Sequence, residues 1–201
     1  LNYPIEQGYD YVFLMNQDAW IDKTSIEQLI EAAHQHPEFG IISPVHLSPL
    51  RPLLDHGFAN YSNCATTKQL PQPEERLIEL PFINAAFWLL PIETVRKVGG
   101  FSPLFFHYGE DRDYLLRARF HHFKVGYLPA ARATHDRDSR KATAETFLKA
   151  EYIYFLSELS NINYPLSKAI AYSMLASIKK MLIAISKGKG YEATSYLKIC
   201  F

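Results

Sequence analysis

Short apolar runs that stop abruptly at polar or turn-forming residues constrain this chain more than any other feature. Tyr9 to Met15 is β-rich and nearly continuous in apolar character, and it ends at Asn16-Gln17-Asp18. Phe39 to Pro44, Leu77 to Leu80, Asn84 to Leu90 and Lys124 to Leu128 repeat the pattern. The first of these runs, apolar without alternation, suits a strand buried on both faces of a parallel-type sheet. Helical patterns lie between the runs. Thr24-Ser25-Ile26-Glu27 has the form of a capping box, and it leads a helix whose Ile26, Leu29, Ile30 and Ala33 share a face and which Pro37 stops. Pro91 opens a short helix that Gly99-Gly100 closes, and Asp111 to Phe120 reads as another. From His46 to Gln72 the pattern loosens into Pro, Asn, Ser and Thr. That stretch reads as a long, partly ordered connection or hairpin, a kind of loop that often carries function. Strands alternating with helices give an α/β class: a mixed sheet flanked by helices.

The chain of 201 residues suits one domain with an appendage, and the pattern divides near residue 140. Residues 1–140 are expected to form the α/β core. From 141 to 201 the character changes to a helical extension, with Phe147, Ala150, Tyr154 and Leu156 to Leu159 in one segment and Leu166 to Ser186 in another. The second segment is apolar but carries Lys168, Lys179 and Lys180, and charge in its middle argues against a spanning helix. Two readings of it stand: an amphipathic helix packed on its own domain, or a surface for peripheral contact with a membrane or a partner. The 21 basic and 21 acidic residues cancel, so no overall field draws the chain to nucleic acid. Cys64 and Cys200 lie far apart with no C-x-x-C pattern, which fits a reducing, cytoplasmic setting rather than a disulfide framework.

Three polar spots sit where regular structure gives way to loop: Asn16-Gln17-Asp18, Gly109-Glu110-Asp111, and His135 after Tyr127-Leu128-Pro129. Open α/β sheets bind ligands beyond the carboxyl ends of their strands, so these positions are candidates for chemistry. A carboxylate such as Asp18 with an imidazole such as His135 makes a mixed oxygen and nitrogen donor set, which tolerates Mn²⁺ and admits Mg²⁺. Asn16 is a neutral amide and a poor ligand for a hard cation. Each residue also has an ordinary role open to it: Asp18 in a turn, His135 as a strand-end histidine satisfied by backbone, Glu110 and Asp111 as first-turn helix charges. Trp88, within Phe87-Trp88-Leu89-Leu90, reads as core, and Arg117 and Arg119 as partners in local pairs.

In order and spacing these motifs resemble the family 2 glycosyltransferases of the GT-A fold, including rhamnosyltransferase-like members. The matching stretch runs from about Tyr9 to His135. Asn16-Gln17-Asp18 corresponds to the family's D-x-D-like motif at a strand end, with Asn16 standing where many members have Asp. Gly99-Gly100-Phe101 followed by Glu110-Asp111 and a helix corresponds to its second signature, and His135 to a late-strand histidine. The resemblance implies a GT-A-like sheet and an inverting, metal-dependent transfer of a sugar from a nucleotide-diphosphate donor to an acceptor hydroxyl. The acceptor would be a saccharide or lipid-linked saccharide in surface polysaccharide or lipopolysaccharide synthesis. It implies Asp111 as the catalytic base, Glu110 in the acceptor pocket, and Asp18 with His135 as ligands of Mn²⁺ or Mg²⁺. It implies Asn16 and Asn84 in the substrate region, and Arg137 and Arg140, in the polar run after His135, read equally as a loop that folds over the diphosphate or as solvated loop charges. A location at the inner face of the plasma membrane goes with that reading.

The chain opens at Leu1-Asn2-Tyr3-Pro4, with neither Met nor a signal-peptide pattern, and is expected to lack the family's N-terminal nucleotide-binding units. Two other readings stand beside the transferase. One is a catalytically inert glycosyltransferase-like module that binds carbohydrate or a partner. The other is a scaffold or peripheral membrane protein in which the acidic motifs are surface residues.

Overall fold

A computed structural model of the protein describes residues 1–50, 52–71, 76–106, 108–136 and 144–200. The chain divides into two compact units, one of Leu1–Phe101 with Ala118–Ser139 and one of Ser102–Arg117 with Arg140–Phe201. In chain order the elements are α1 (Asn2–Glu6), β1 (Tyr11–Met15), β2 (Ala19–Ile21), α2 (Ser25–Gln35), β3 (Phe39–Leu47), α3 (His56–Ser62), β4 (Ile78–Glu79), β5 (Phe87–Pro91), α4 (Ile92–Val98), α5 (Glu110–Phe120), β6 (Lys124–His135), α6 (Ala144–Leu159), α7 (Leu166–Ser186) and α8 (Gly190–Cys200). The α/β class expected from the sequence is present: a mixed sheet with flanking helices, followed by helices at the C-terminal side.

The first unit is built on a six-stranded sheet in the order β1-β5-β3-β6-β2, with β4 paired to β6. Only β3 and β6 are parallel neighbours; β5 runs against both β1 and β3, and β2 and β4 run against β6. It follows that β1, β3 and β6 point the same way. Their carboxyl ends, at Asn16, Leu47 and His135, lie at one edge of the sheet.

Several sequence expectations change here. Met15 is exposed and the rest of β1 only half-buried, because β1 occupies the end of the strand order instead of its centre. The fully buried strand is β3, whose nine residues run to Leu47 and take in His46, which the sequence reading assigned to a loop. β6 continues seven residues past Leu128 to His135. Pro129 did not end it, since Pro44 pairs with Leu128 and Val45 with Arg132, which leaves Pro129, Ala130 and Ala131 in a bulge that needs no ladder bond from the proline. The strand expected at Asn84 begins only at Phe87, with Asn84 to Ala86 ahead of it as irregular chain and turn.

Helix α2 forms where expected, but its cap and its buried face differ. The Thr24 side chain makes no capping bond. Instead the Ser25 hydroxyl accepts from Arg132 N at 2.8 Å and donates to Arg132 O at 3.0 Å, tying the first turn to the β6 bulge. That bridge turns the helix so that Ser25, Leu29, Ala32 and Ala33 are buried while Ile26 is exposed. Leu29, Ala32 and Ala33 pack with Phe39, Ile42, Leu89 and Leu128 in one core cluster. Trp88 is fully buried and stacks on Phe101, as core. Gly99, at φ 82°, closes α4 in the conformation glycine adopts without strain.

In the second unit α6, α7 and α8 pack around Phe155, Ala184, Ala193 and Tyr196. Ser177 Oγ donates to Tyr196 O at 2.9 Å, and Lys180 pairs with Glu151. Phe147, near the start of α6, is exposed. Helix α7 packs through small side chains, Ala169, Ser173, Ser177 and Ala184, and turns Leu166, Leu175, Leu182 and Ile185 outward. Among the described residues it is the one helix long and apolar enough to cross a membrane by length and composition.

Candidate functional site

The turn after β1 and the end of β6 meet because β2 pairs antiparallel with β6, placing Ala19 opposite His135. Asp136 N donates to Asp18 O at 2.8 Å and completes the join. On the other side Asn16 N donates to Ala86 O at 3.1 Å, so the turn carrying Asn84 lies against the turn carrying Asp18. The Asn84 carboxamide oxygen stands 3.5 Å from Ala86 N, and its nitrogen faces Gly57.

His135 sits at the centre of this edge. Its Nε2 is 3.3 Å from Asn16 Nδ2 and 3.4 Å from Asp18 Oδ1. The His135 side chain is 2% exposed and the Asp18 side chain 53%, so the pair joins a buried nitrogen to an oxygen open to solvent. Behind the ring, Nδ1 lies 3.6 Å from Asp55 Oδ2, itself almost fully buried. That separation is a charge contact, longer than a hydrogen bond.

Asp55 and His46 were not singled out from the sequence. Asp55 is the N-cap of α3, its Oδ1 accepting from Phe58 N at 3.0 Å, in the segment expected to be loosely ordered. An Asp three residues ahead of a buried Phe was the available signal. His46 lies on β3 beneath it, joined by a backbone bond from Asp55 N to His46 O at 2.9 Å. The His46 ring meets the Phe58 and Phe87 rings, and its Nε2 is 2.7 Å from Ser43 Oγ. Ser43 Oγ also lies 2.7 Å from Phe87 O, an atom that can only accept. The single hydroxyl proton therefore goes to Phe87 O, and His46 Nε2–H donates to Ser43.

The charges follow from these contacts. Burial drives the His46 imidazole down to about 3, against the upward pull of Asp55, with His135 adding to the depression. Burial pushes the Asp55 carboxyl up, but the His135 contact, the Phe58 N–H bond and the neighbouring imidazoles outweigh it and hold it at about 2. At neutral pH the cluster is thus a neutral His46 and an ionised Asp55 facing His135.

Glu110 and Asp111 belong to the second unit, at the start of α5. The two residues before them, Tyr108 and Gly109, have φ of 69° and 91°. A Cβ at Gly109 would strike Ile153 and Phe105, so glycine is required both by the turn and by the space. A tyrosine held in the left-handed region just ahead of an acidic pair is the kind of local strain that collects at functional sites. Asp111 Oδ1 accepts from Arg112 N at 2.7 Å. Glu110 Oε2 is buried with no hydrogen-bond partner among the described residues. Arg112 pairs with Glu158 at 2.6 Å, Arg117 with Asp113 at 2.9 Å, and in the first unit Arg119 donates to Leu80 O at 3.0 Å. These arginines have the local roles expected of Arg117 and Arg119. Arg137 and Arg140 lie outside the described residues.

The donor set suits a divalent cation in chemistry. Asp18 supplies an oxygen and His135 a nitrogen 3.4 Å apart, with one face open to solvent. Among the described residues no group of three His, Cys, Asp or Glu side chains converges as a complete cation site, so further donors would come from a ligand's oxygens and water. No protein-family model and no curated protein sequence matches the chain.

Proposed function

We propose that the chain is the C-terminal portion of a GT-A glycosyltransferase domain with a helical extension. It would transfer a sugar from a nucleoside-diphosphate donor to an acceptor hydroxyl with inversion. The observation that carries this reading is the meeting of Asn16, Asp18 and His135 at the carboxyl ends of strands that run the same way.

Asp18 and His135 would hold Mn²⁺ or Mg²⁺, and Asn16 and Asn84 would line the donor side. Such a cation would supply positive charge against the charge that develops on the departing diphosphate. In that transfer the acceptor oxygen bonds to the anomeric carbon as the carbon–oxygen bond to the diphosphate breaks, and the acceptor's proton passes to a carboxylate base, the role that the family resemblance gives Asp111. Glu110 would help to shape the acceptor pocket, as the family resemblance implies.

Helix α7 supports an acceptor held at a membrane, such as a lipid-linked saccharide at the inner face of the plasma membrane. Its residues Leu166–Ser186 include three lysines and no acidic residue, and Leu175, Leu182 and Ile185 face outward. Large outward apolar groups edged by positive charge suit the headgroup region of an anionic bilayer.

The test is calorimetric titration of UDP and of dTDP, each with Mn²⁺, into the full-length protein and its Asp18→Ala variant. Metal-dependent nucleotide binding that disappears in the variant is expected. Binding of neither nucleotide, or equal binding by the variant, would refute the metal-diphosphate reading and favour an inert module.

A further inference from the structure

We propose that Asp55 is a positioning residue for His135, holding its proton on Nδ1 so that the Nε2 lone pair is presented to the Asn16–Asp18 turn. The use of that lone pair for a cation rests on the function proposed above; the placement of the proton rests on the geometry alone.

The buried side of the ring decides its tautomer. Nε2 lies 3.3 Å from the Asn16 carboxamide nitrogen, which only donates, and 3.4 Å from Asp18 Oδ1, which only accepts but is open to water. Nδ1 faces the Asp55 carboxylate, which is buried away from water, so Nδ1 takes the proton and Nε2 accepts from Asn16. The ring proton is then on Nδ1, which is buried, has no hydrogen-bond partner, and faces Asp55 Oδ2 at 3.6 Å. Asp55 is free to serve it. Its Oδ1 is committed to Phe58 N, which leaves Oδ2 available. His46, the other imidazole beside Asp55, does not compete for that oxygen. Its proton is directed to Ser43 through Nε2, so its own Nδ1 carries a lone pair and stands without a partner. Asp55 Oδ2 is thus the buried carboxylate oxygen that faces the buried ring nitrogen of His135. A carboxylate behind a ligating histidine fixes ring orientation and tautomer and raises the basicity of the other nitrogen, and its loss typically weakens metal binding about 10–100-fold.

The experiment uses the ¹⁵N-labelled protein and reads histidine tautomers from long-range ¹H–¹⁵N correlation spectra at neutral pH, with His135→Gln identifying the signal. The comparison variant is Asp55→Ser, which retains an oxygen to cap Phe58 N but is too short to reach the imidazole. His135 is expected in the Nδ1–H form in the wild type, and shifted towards Nε2–H or averaging between the two in Asp55→Ser. Mn²⁺ affinity in the presence of UDP, read by electron paramagnetic resonance, should weaken about 10–100-fold in the same variant. A wild-type His135 in the Nε2–H form overturns the proposal whatever the variant does. An unchanged tautomer in a folded Asp55→Ser overturns it too. An Nδ1–H wild type that shifts in the variant, in a protein that binds no Mn²⁺ at all, supports the positioning role and removes only its use in binding a cation.

Discussion

His46 should make the protein lose stability in mild acid, and by an amount that can be worked out. Its imidazole is fully buried and neutral, with burial holding it at about 3 against 6.5 for a free histidine. Because the folded-state value lies below the unfolded one, the unfolded chain binds the extra proton first. The stabilisation is complete above about pH 6.5 and is lost as pH falls towards about 3. Between pH 7 and pH 5 the loss from this one group is about 2 kcal/mol, and any folded-state value below about 4 gives nearly the same figure. The chain has 8 histidines, so the wild-type slope alone would not isolate it. The His46→Gln variant keeps a nitrogen donor for Ser43 and removes the titration. Urea unfolding of both proteins at pH 7 and pH 5 gives the double difference. About 2 kcal/mol less pH dependence in the variant is expected, and equal dependence in the two would refute the account of a neutral, buried imidazole.

Three further outcomes are expected. Gly126→Ala would drive a methyl group into the Ile78 carbonyl oxygen and to 2.7 Å from the Phe39 ring, displacing β4; a loss of about 1–3 kcal/mol in chemical unfolding is expected. Asp111→Asn should lower sugar transfer roughly 10²–10⁴-fold while UDP and Mn²⁺ binding stay at wild-type levels; unchanged transfer would remove Asp111 as the base. Pairing Leu175→Asp with Leu182→Asp on the outward side of α7 should abolish flotation with anionic liposomes while leaving nucleotide binding intact, and flotation that persists would place membrane contact elsewhere.

The apolar runs and their breakers made β1, β5, α2, α4 and α5 legible, and the polar residues ending β1 and β6 were recognisable as a candidate site. What stayed hidden has physical causes. An uninterrupted apolar run does not say whether a strand lies in the middle of a sheet or at its end, so the half-buried state of β1 could not be read from Tyr11 to Met15. Pro129 looks like a strand terminus and is instead part of a bulge that re-aims the chain before His135. Asp55 looked like an ordinary turn aspartate because its importance depends on His135, eighty positions away in sequence and 3.6 Å away in space. Histidine 46 was hidden by Pro44, which suggested that β3 had already ended.

The pairing of β6 has a consequence for how long each part of this cluster persists. β6 is bonded to β3 along most of its length and to β4 and β2 at its two ends. Amides held in this way exchange with solvent only when much of the sheet opens, so the backbone at His135 should be among the slowest in the protein to exchange. Asp55 stands instead at the start of a seven-residue helix reached through the connection after β3, outside the ladder and held to it by the buried Phe58 ring and the Asp55 N–H bond to His46 O. The imidazole is thus carried by a slow element and the carboxylate that steers it by a faster one. Brief excursions of α3 would release the ring proton from its restraint while the ring stays in place, so the tautomer of His135 would follow the opening of a short loop and helix, not the unfolding of the sheet.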